Sequence, residues 1–339
     1  MNVNVFIGFD IGGTMISIKD VAKESKVSIA TVSRVFNSPE LVSPSTRAKV
    51  YSIAQKLNYI PNYSAKTLRK TIVGSIIVLI PDVSNVFFID IVHGVQDYAE
   101  SRGYNVLMGR FNVDTFNVGR YFELVKSKAA DGIVIAMGHD RIYPENSGGI
   151  GINITTIEEK YMNNPCVYID NFEAIKKILD YLVSKGHKRI GFIGFKNEKS
   201  RFNAFKEILT KKGLCYDEDI VKLGEELSED MPKSARTYIK YVIGKRKIPD
   251  AIVCASDVLA AGAIKWLIKS GLKVPDDVAV TGFDGVDIVN IVTPSITTVE
   301  QPRHKMGMEA ARILINKIEG KDFEEKIVLP TRLITGESA

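Results

Sequence analysis

The residues best suited to specific chemistry lie between Ile18 and Asn37, in the stretch IKDVAKESKVSIATVSRVFN. Ser28, Ala30, Thr31, Ser33, Arg34 and Asn37 share one helical face and are all short except Arg34. Short side chains let a helix enter the major groove of duplex DNA, where a guanidinium can grip guanine O6 and N7 together. Ser28, Ile29, Ala30 and Arg34 are expected at base edges, with Ile29 and Ala30 suited to thymine methyl groups. Thr31, Ser33 and Asn37 are expected mainly to hold phosphates.

Two helices must position these groups. Ile18, Val21 and Ala22 keep helical spacing, and Asp20 sits where the dipole of a first turn favours a carboxylate. The pattern breaks at Lys26-Val27. Ser28 then offers a hydroxyl N-cap to a second helix whose expected inward face is Ile29, Val32 and Val35 with Phe36. Two short helices across a tight turn have the form of a helix-turn-helix. A surface helix pair in an α/β protein would read the same way if it stood alone. It does not stand alone: VSPSTRAKVYSIAQKLNYIPN (Val42 to Asn62) predicts a third helix, capped by Ser43 or Ser45 and ended before Pro61.

Together, DVAKESKVSIATVSRVFN and VSPSTRAKVYSIAQKLNYIPN resemble the DNA-binding headpiece of the lac repressor (LacI/GalR) family. That resemblance implies a transcriptional regulator, acting as a homodimer on operator DNA under control of a small-molecule effector. It also gives a meaning to NYIPNYSAKTLRK. Asn62 can cap a short basic helix from Tyr63 to Arg69, too short to be stable alone. In the resembled family this is a hinge helix that folds on DNA. Ala65 and Leu68 fall on its working face, and Leu68 matches the leucine that wedges into the minor groove. A solvated linker is the plainer alternative.

Charge agrees with a local polyanion partner. Residues 18–70 hold ten Lys/Arg against three Asp/Glu, while the rest holds 35 basic against 37 acidic residues. A basic module on a slightly acidic body points to phosphates. Cys166, Cys215 and Cys254 are scattered without metal or redox spacing, which suits a reducing cytoplasm. No apolar run reaches transmembrane length, and the leader lacks the marks of a signal peptide. Residues 1–17 are read as an extension. Within them VFIGFDIGGT (Val5 to Thr14) resembles the phosphate loop of sugar kinases of the ROK family, with Gly12 and Gly13 able to line a phosphate. A sugar kinase carrying a DNA-binding module is therefore the alternative reading, although no other kinase motif follows. No catalytic constellation, metal cluster or cofactor motif is legible. The four histidines are dispersed, and Gly148-Gly149-Ile150-Gly151 lacks the helix a dinucleotide loop requires.

From Thr71 the texture becomes alternating strands and helices: TIVGSIIVLIPD, YNVLMGRF, DGIVIAM, CVYID, RIGFIGF, AIVCAS and VAVTGFD. Such alternation predicts parallel sheets covered on both faces, with ligands beyond the strands' carboxyl ends. The expected class is thus α/β, with an all-α headpiece (18–62), a hinge helix (63–70) and an effector domain (71–339). GSIIVLIPDVSNVFF, SKGHKRIGFIG and ASDVLAAGAIKWLIKSGLKVPDDVAVTGFD resemble the family's effector domain, itself similar to periplasmic sugar-binding proteins. The resemblance implies two subdomains joined by three crossings, near Ile169-Asp170, Ile296 to Val299 and Leu329-Pro330.

Candidate ligand contacts are Asp82, Asn85 and Phe88 after the first strand, then Asn153, Arg201, Ser256, Asp257, Phe283 and Asp284. Carboxylates and a guanidinium can grip vicinal hydroxyls while phenylalanine covers an apolar ring face, so a sugar or sugar derivative is the expected effector. Plainer roles exist for several: Asp82 as a cap, Asp257 and Asp284 as strand ends, Phe88 as core. The chain departs from the family at Val86 (proline is usual), at Ser256 (asparagine is common) and at Glu226-Leu227 (often aromatic), which puts a standard hexose in doubt. The chain stops soon after LPTRLITGESA without a leucine heptad, so a dimer and nothing larger is expected.

Overall fold

The computed structural model describes residues 16–59, 72–111, 118–136, 151–158, 164–196, 199–224 and 231–339, leaving aside the side chains of Asn37 and 231–233. The chain divides into two units, Met1–Thr71 and Ile72–Ala339. The hinge residues Ala65 and Leu68 and the glycine-rich leader lie outside the described residues.

In the first unit, α1 spans Ile18–Ser25, α2 spans Ile29–Asn37 and α3 spans Pro44–Lys56. Asp20 earns its place in the first turn. Its carboxylate accepts from the Ser17 backbone N–H at 2.8 Å and the Ser17 hydroxyl at 2.6 Å. Those two bonds hold it below the usual carboxylate range. The tight turn is made by Lys26 in the left-handed region (φ +53°), with Val27 N–H donating to the Ala22 carbonyl at 3.1 Å. Ser28 caps α2 by accepting from Thr31 N–H at 3.0 Å, and Ser43 caps α3. Val21, Ala22, Val32, Val35, Val50 and Ala54 form the buried seam. Ile29 was expected both on the inward face and at base edges, and at 45% exposure the inward placement is a correction. The first turn of α2 projects past the seam, so the same period that buries Val32 leaves Ile29 outside.

The second unit contains two parallel sheets. Sheet A is built from β1 (Ser75–Ile80), β2 (Asn105–Arg110), β3 (Gly132–Ala136), β4 (Asn153–Ile157), β5 (Cys166–Ile169) and β11 (Lys326–Leu329), in the order β11-β5-β4-β3-β1-β2. Sheet B has β6 (Ile190–Phe195), β7 (Val221–Gly224), β8 (Ala251–Cys254) and β9 (Ala279–Thr281), in the order β7-β6-β8-β9. The run of β1 is apolar throughout because both its faces are covered. Ile76, Val78 and Ile80 enter one core, while Ile77 and Leu79 enter another beneath Phe111, Tyr121 and Phe122. β2 departs from that pattern. It is an edge strand with Leu107 and Met108 exposed.

The covering helices are α4 (Val86–Ser101), α5 (Gly119–Lys126), α6 (Asn171–Ser184), α7 (Lys199–Lys211), α8 (Met231–Gly244), α9 (Asp257–Lys269), the short α10 (Ile288–Ile291) and α11 (Arg303–Ile318). Chain crossings between the sheets fall after Ile169 into α6, at β10 (Thr298–Glu300) and between β11 and β12 (Arg332–Ile334). β10 and β12 pair antiparallel. Helices α4 and α11 touch backbone to backbone through Gly94 and Gly307.

Candidate functional site

On the first unit the candidate surface is the outer face of α2. Ser28, Ile29, Ala30 and Arg34 are exposed, whereas Thr31 and Ser33 are half-buried. The Ser28 hydroxyl faces Thr31 Oγ1 at 2.8 Å, so its capping role fixes where it points. The Asn37 side chain lies outside the described residues. The rigid seam under Val32 and Val35 holds Arg34 on the solvent side, available to a groove floor.

On the second unit a charged group gathers at the carboxyl ends of strands from both sheets. Arg201, in the first turn of α7, is 6% exposed. Its Nε donates to Asn171 Oδ1 at 3.2 Å, one terminal nitrogen to the Ala255 carbonyl at 2.7 Å, and the other to Glu158 at 3.3 Å. Asp284 stands 3.5 Å away, and the guanidinium lies over the Phe283 ring at 3.9 Å from its centroid. Glu158 follows β4 of sheet A, so this ion pair joins the two sheets. Gln301, 2% exposed and just past β10, donates from Nε2 to Asp284 Oδ1 at 2.9 Å. Arg303 donates to the Asp284 carbonyl and to Asp90 of α4 at 2.9 Å. Glu158 and Asp284 both have positive φ, +75° and +111°. Such backbone is uncommon outside glycine and concentrates at functional positions. Burial pushes the Glu158 carboxyl above its ordinary range, against the pull of Arg201 and Gln301.

Of the residues expected at a ligand site, Arg201, Phe283 and Asp284 are brought together, and the others have the following partners. Asn153 is a correction. It opens β4 at the amino end and donates to the Asp131 carbonyl at 3.3 Å, on the side of the sheet away from the cluster. Asp257 is a second: fully buried, it accepts from Thr298 Oγ1 at 2.6 Å and Val286 N–H at 2.9 Å. It pins the β10 crossing to α9. Ser256 caps α9 by accepting from Leu259 N–H. Asp82 accepts from Ser84 N–H, Asn85 caps α4 through Phe87 N–H, and Phe88 is core against Phe87. Glu158, Asn171 and Gln301 were not singled out by sequence reasoning. A carboxylate just past a strand end was the signal available for Glu158.

Burial of Asp257 pushes its carboxyl up to about 7. Because the folded value lies above the unfolded 3.8, its charged form opposes folding. The fold therefore loses stability as pH rises from about 4 to about 7, with a slope of up to about 1.4 kcal/mol per pH unit from this one proton. Urea unfolding across that window should show the decline in the wild type and a flatter profile in Asp257→Asn; equal slopes would contradict the assignment.

A helix-turn-helix unit and a two-sheet body with charged strand ends define the class of effector-controlled DNA-binding regulators. Residues 17–62 match the family model described as bacterial regulatory proteins, lacI family, and residues 179–339 match the periplasmic binding protein-like domain. The HTH-type transcriptional regulator RegA of Clostridium saccharobutylicum is 34% identical over 95% of this chain and 98% of its own length. The chain belongs to the lacI family of bacterial regulatory proteins. Among solved structures, the transcriptional regulator CelR–cellobiose complex is similar at 27% identity and TM-score 0.70, covering 96% of this chain and 100% of that one. The lac repressor dimer bound to operator and the anti-inducer ONPF shares the fold, with TM-score 0.84 at 21% identity over 96% of this chain and 99% of its own. These relatives are regulators, and the sugar-kinase alternative finds no support in them. Among the described residues no helix is long and apolar enough to cross a membrane.

Proposed function

We propose that the chain binds a pseudo-palindromic operator as a homodimer, each α2 in one major-groove half-site, under the control of a sugar-like effector held by the Arg201 cluster. The observation that carries the DNA contact is the outward display of Ile29, Ala30 and Arg34 over the buried Val32–Val35 seam. The exposed Leu107 and Met108 on edge strand β2 support self-association, since an unpaired apolar edge favours a covering partner. Cys215 and Cys254 are free thiols, which supports a reducing cytoplasm. The cellobiose of the CelR complex supports a sugar-like ligand. Ligand control follows if the effector prefers one arrangement of the two sheets. The hinge segment, with Ala65 and Leu68, is the proposed relay to DNA.

Arg34→Ala tests the DNA contact. The variant should lose about 1–3 kcal/mol of operator affinity and relax preference at one base pair. Binding measured against a set of single-base operator variants decides the point. An equal loss on every sequence would reduce Arg34 to a phosphate contact.

A further inference from the structure

Among the described residues, the charged group sets two carboxylates, Glu158 and Asp284, around the Arg201 guanidinium, and this bears on what kind of effector it takes. Arg201 brings a positive charge, but its nitrogens are directed at Asn171, Ala255, Glu158 and Asp284. The Arg303 charge is paired with Asp90 at 2.8 Å. Against Arg201 stand two carboxylates, Glu158 and Asp284. Gln301 sets its amide nitrogen on Asp284 at 2.9 Å. The opposite amide orientation would bring oxygen against anions, so Oε1 is turned away from them. That oxygen is buried without a hydrogen-bond partner. A buried acceptor lacking a donor is unfavourable, and a ligand N–H satisfies it. An acidic ligand would instead add negative charge beside two carboxylates.

We propose that the effector is a hydroxylated molecule bearing an amino group, of the amino-sugar class, with Gln301 Oε1, Glu158 and Asp284 receiving its N–H donors. This rests on the effector site proposed above and narrows it to a chemical class. Phosphorylated and carboxylated sugars are disfavoured, because they would set a further anion beside Asp284 and Glu158.

The test uses the full chain and matched sugars: glucosamine, galactosamine and mannosamine, their parent hexoses, and the 6-phosphates of those hexoses. Thermal shift should pick out aminated members, each raising the melting temperature by several degrees at saturating ligand. Gln301→Met should weaken the best hit about tenfold or more. If that variant does not fold, the wild-type pH profile decides, because affinity should fall as the ligand's ammonium group loses its proton. The proposal is overturned if the best binder is a plain or phosphorylated sugar, if no aminated sugar shifts the melt, or if affinity ignores that titration. Gel-shift measurement of operator binding with each sugar separates the two readings. A plain sugar that alters operator affinity sinks the amino class and leaves the effector site standing.

Discussion

Arg201→Ala should destabilise the second unit by about 3–5 kcal/mol, because it removes the guanidinium that pairs with the enclosed Glu158 carboxylate at 3.3 Å and stands 3.5 Å from Asp284. It should also abolish any ligand-induced change in operator affinity. Arg201→Lys should recover little of either effect. A point-charge ammonium cannot reach Asn171, Ala255 and Glu158 at once or lie flat on Phe283 as the planar guanidinium does. Adding Glu158→Gln to Arg201→Ala should restore part of the lost stability, since one enclosed charge is removed. Urea unfolding and ligand-dependent gel shift measure the two effects. A loss below about 1 kcal/mol would mean the carboxylates are held by something other than Arg201.

Gly307→Ala should cost about 3 kcal/mol or more. A Cβ at this position would sit 2.0 Å from the Ile91 carbonyl oxygen and 2.9 Å from Val95 N, both of them backbone atoms of α4. Backbone cannot rotate away, so α11 must lift from α4 and loosen the buried layer of Ile91, Val95, Met306 and Ala310. The gain in helix propensity from Gly to Ala, about 1 kcal/mol, acts in the opposite direction and is outweighed. Gly119→Ala is the control, because a Cβ there meets nothing within 4 Å. Thermal melts of the two variants should differ by many degrees, and similar melts would show that the two helices can yield.

The headpiece was legible because its signals are local. Ser28 as a cap, the break at Lys26-Val27 and the Val32–Val35 spacing each depend on neighbours within one or two turns. Ile29 defeated the same reasoning, since a periodicity rule does not say where the seam ends. The cluster was half legible for a different reason. Arg201, Phe283 and Asp284 follow strands recognisable as buried runs. Asn153 lies at the other end because NITTI, which is not among the apolar runs read from the sequence, is itself a strand that begins at Asn153. Asp257 looks like a free carboxylate in sequence. Its partners Thr298 and Val286 lie 41 and 29 residues away, beyond any local pattern. Gln301 acquires its role only when β10 crosses between the sheets.

The Glu158–Arg201 clasp is made of the chain's own atoms, at side-chain exposures of 16% and 7%. A ligand that draws on either residue competes with this internal pair, so its apparent affinity is reduced by the fraction of molecules in which the clasp is closed. Ions in solution hardly reach a pair so enclosed. DNA contacts through phosphates behave oppositely, weakening steeply as salt rises. With the effector at the proposed cluster, two thresholds of different sensitivity follow: osmotic change should move occupancy of the operator by orders of magnitude while leaving the effector concentration needed for response almost where it was.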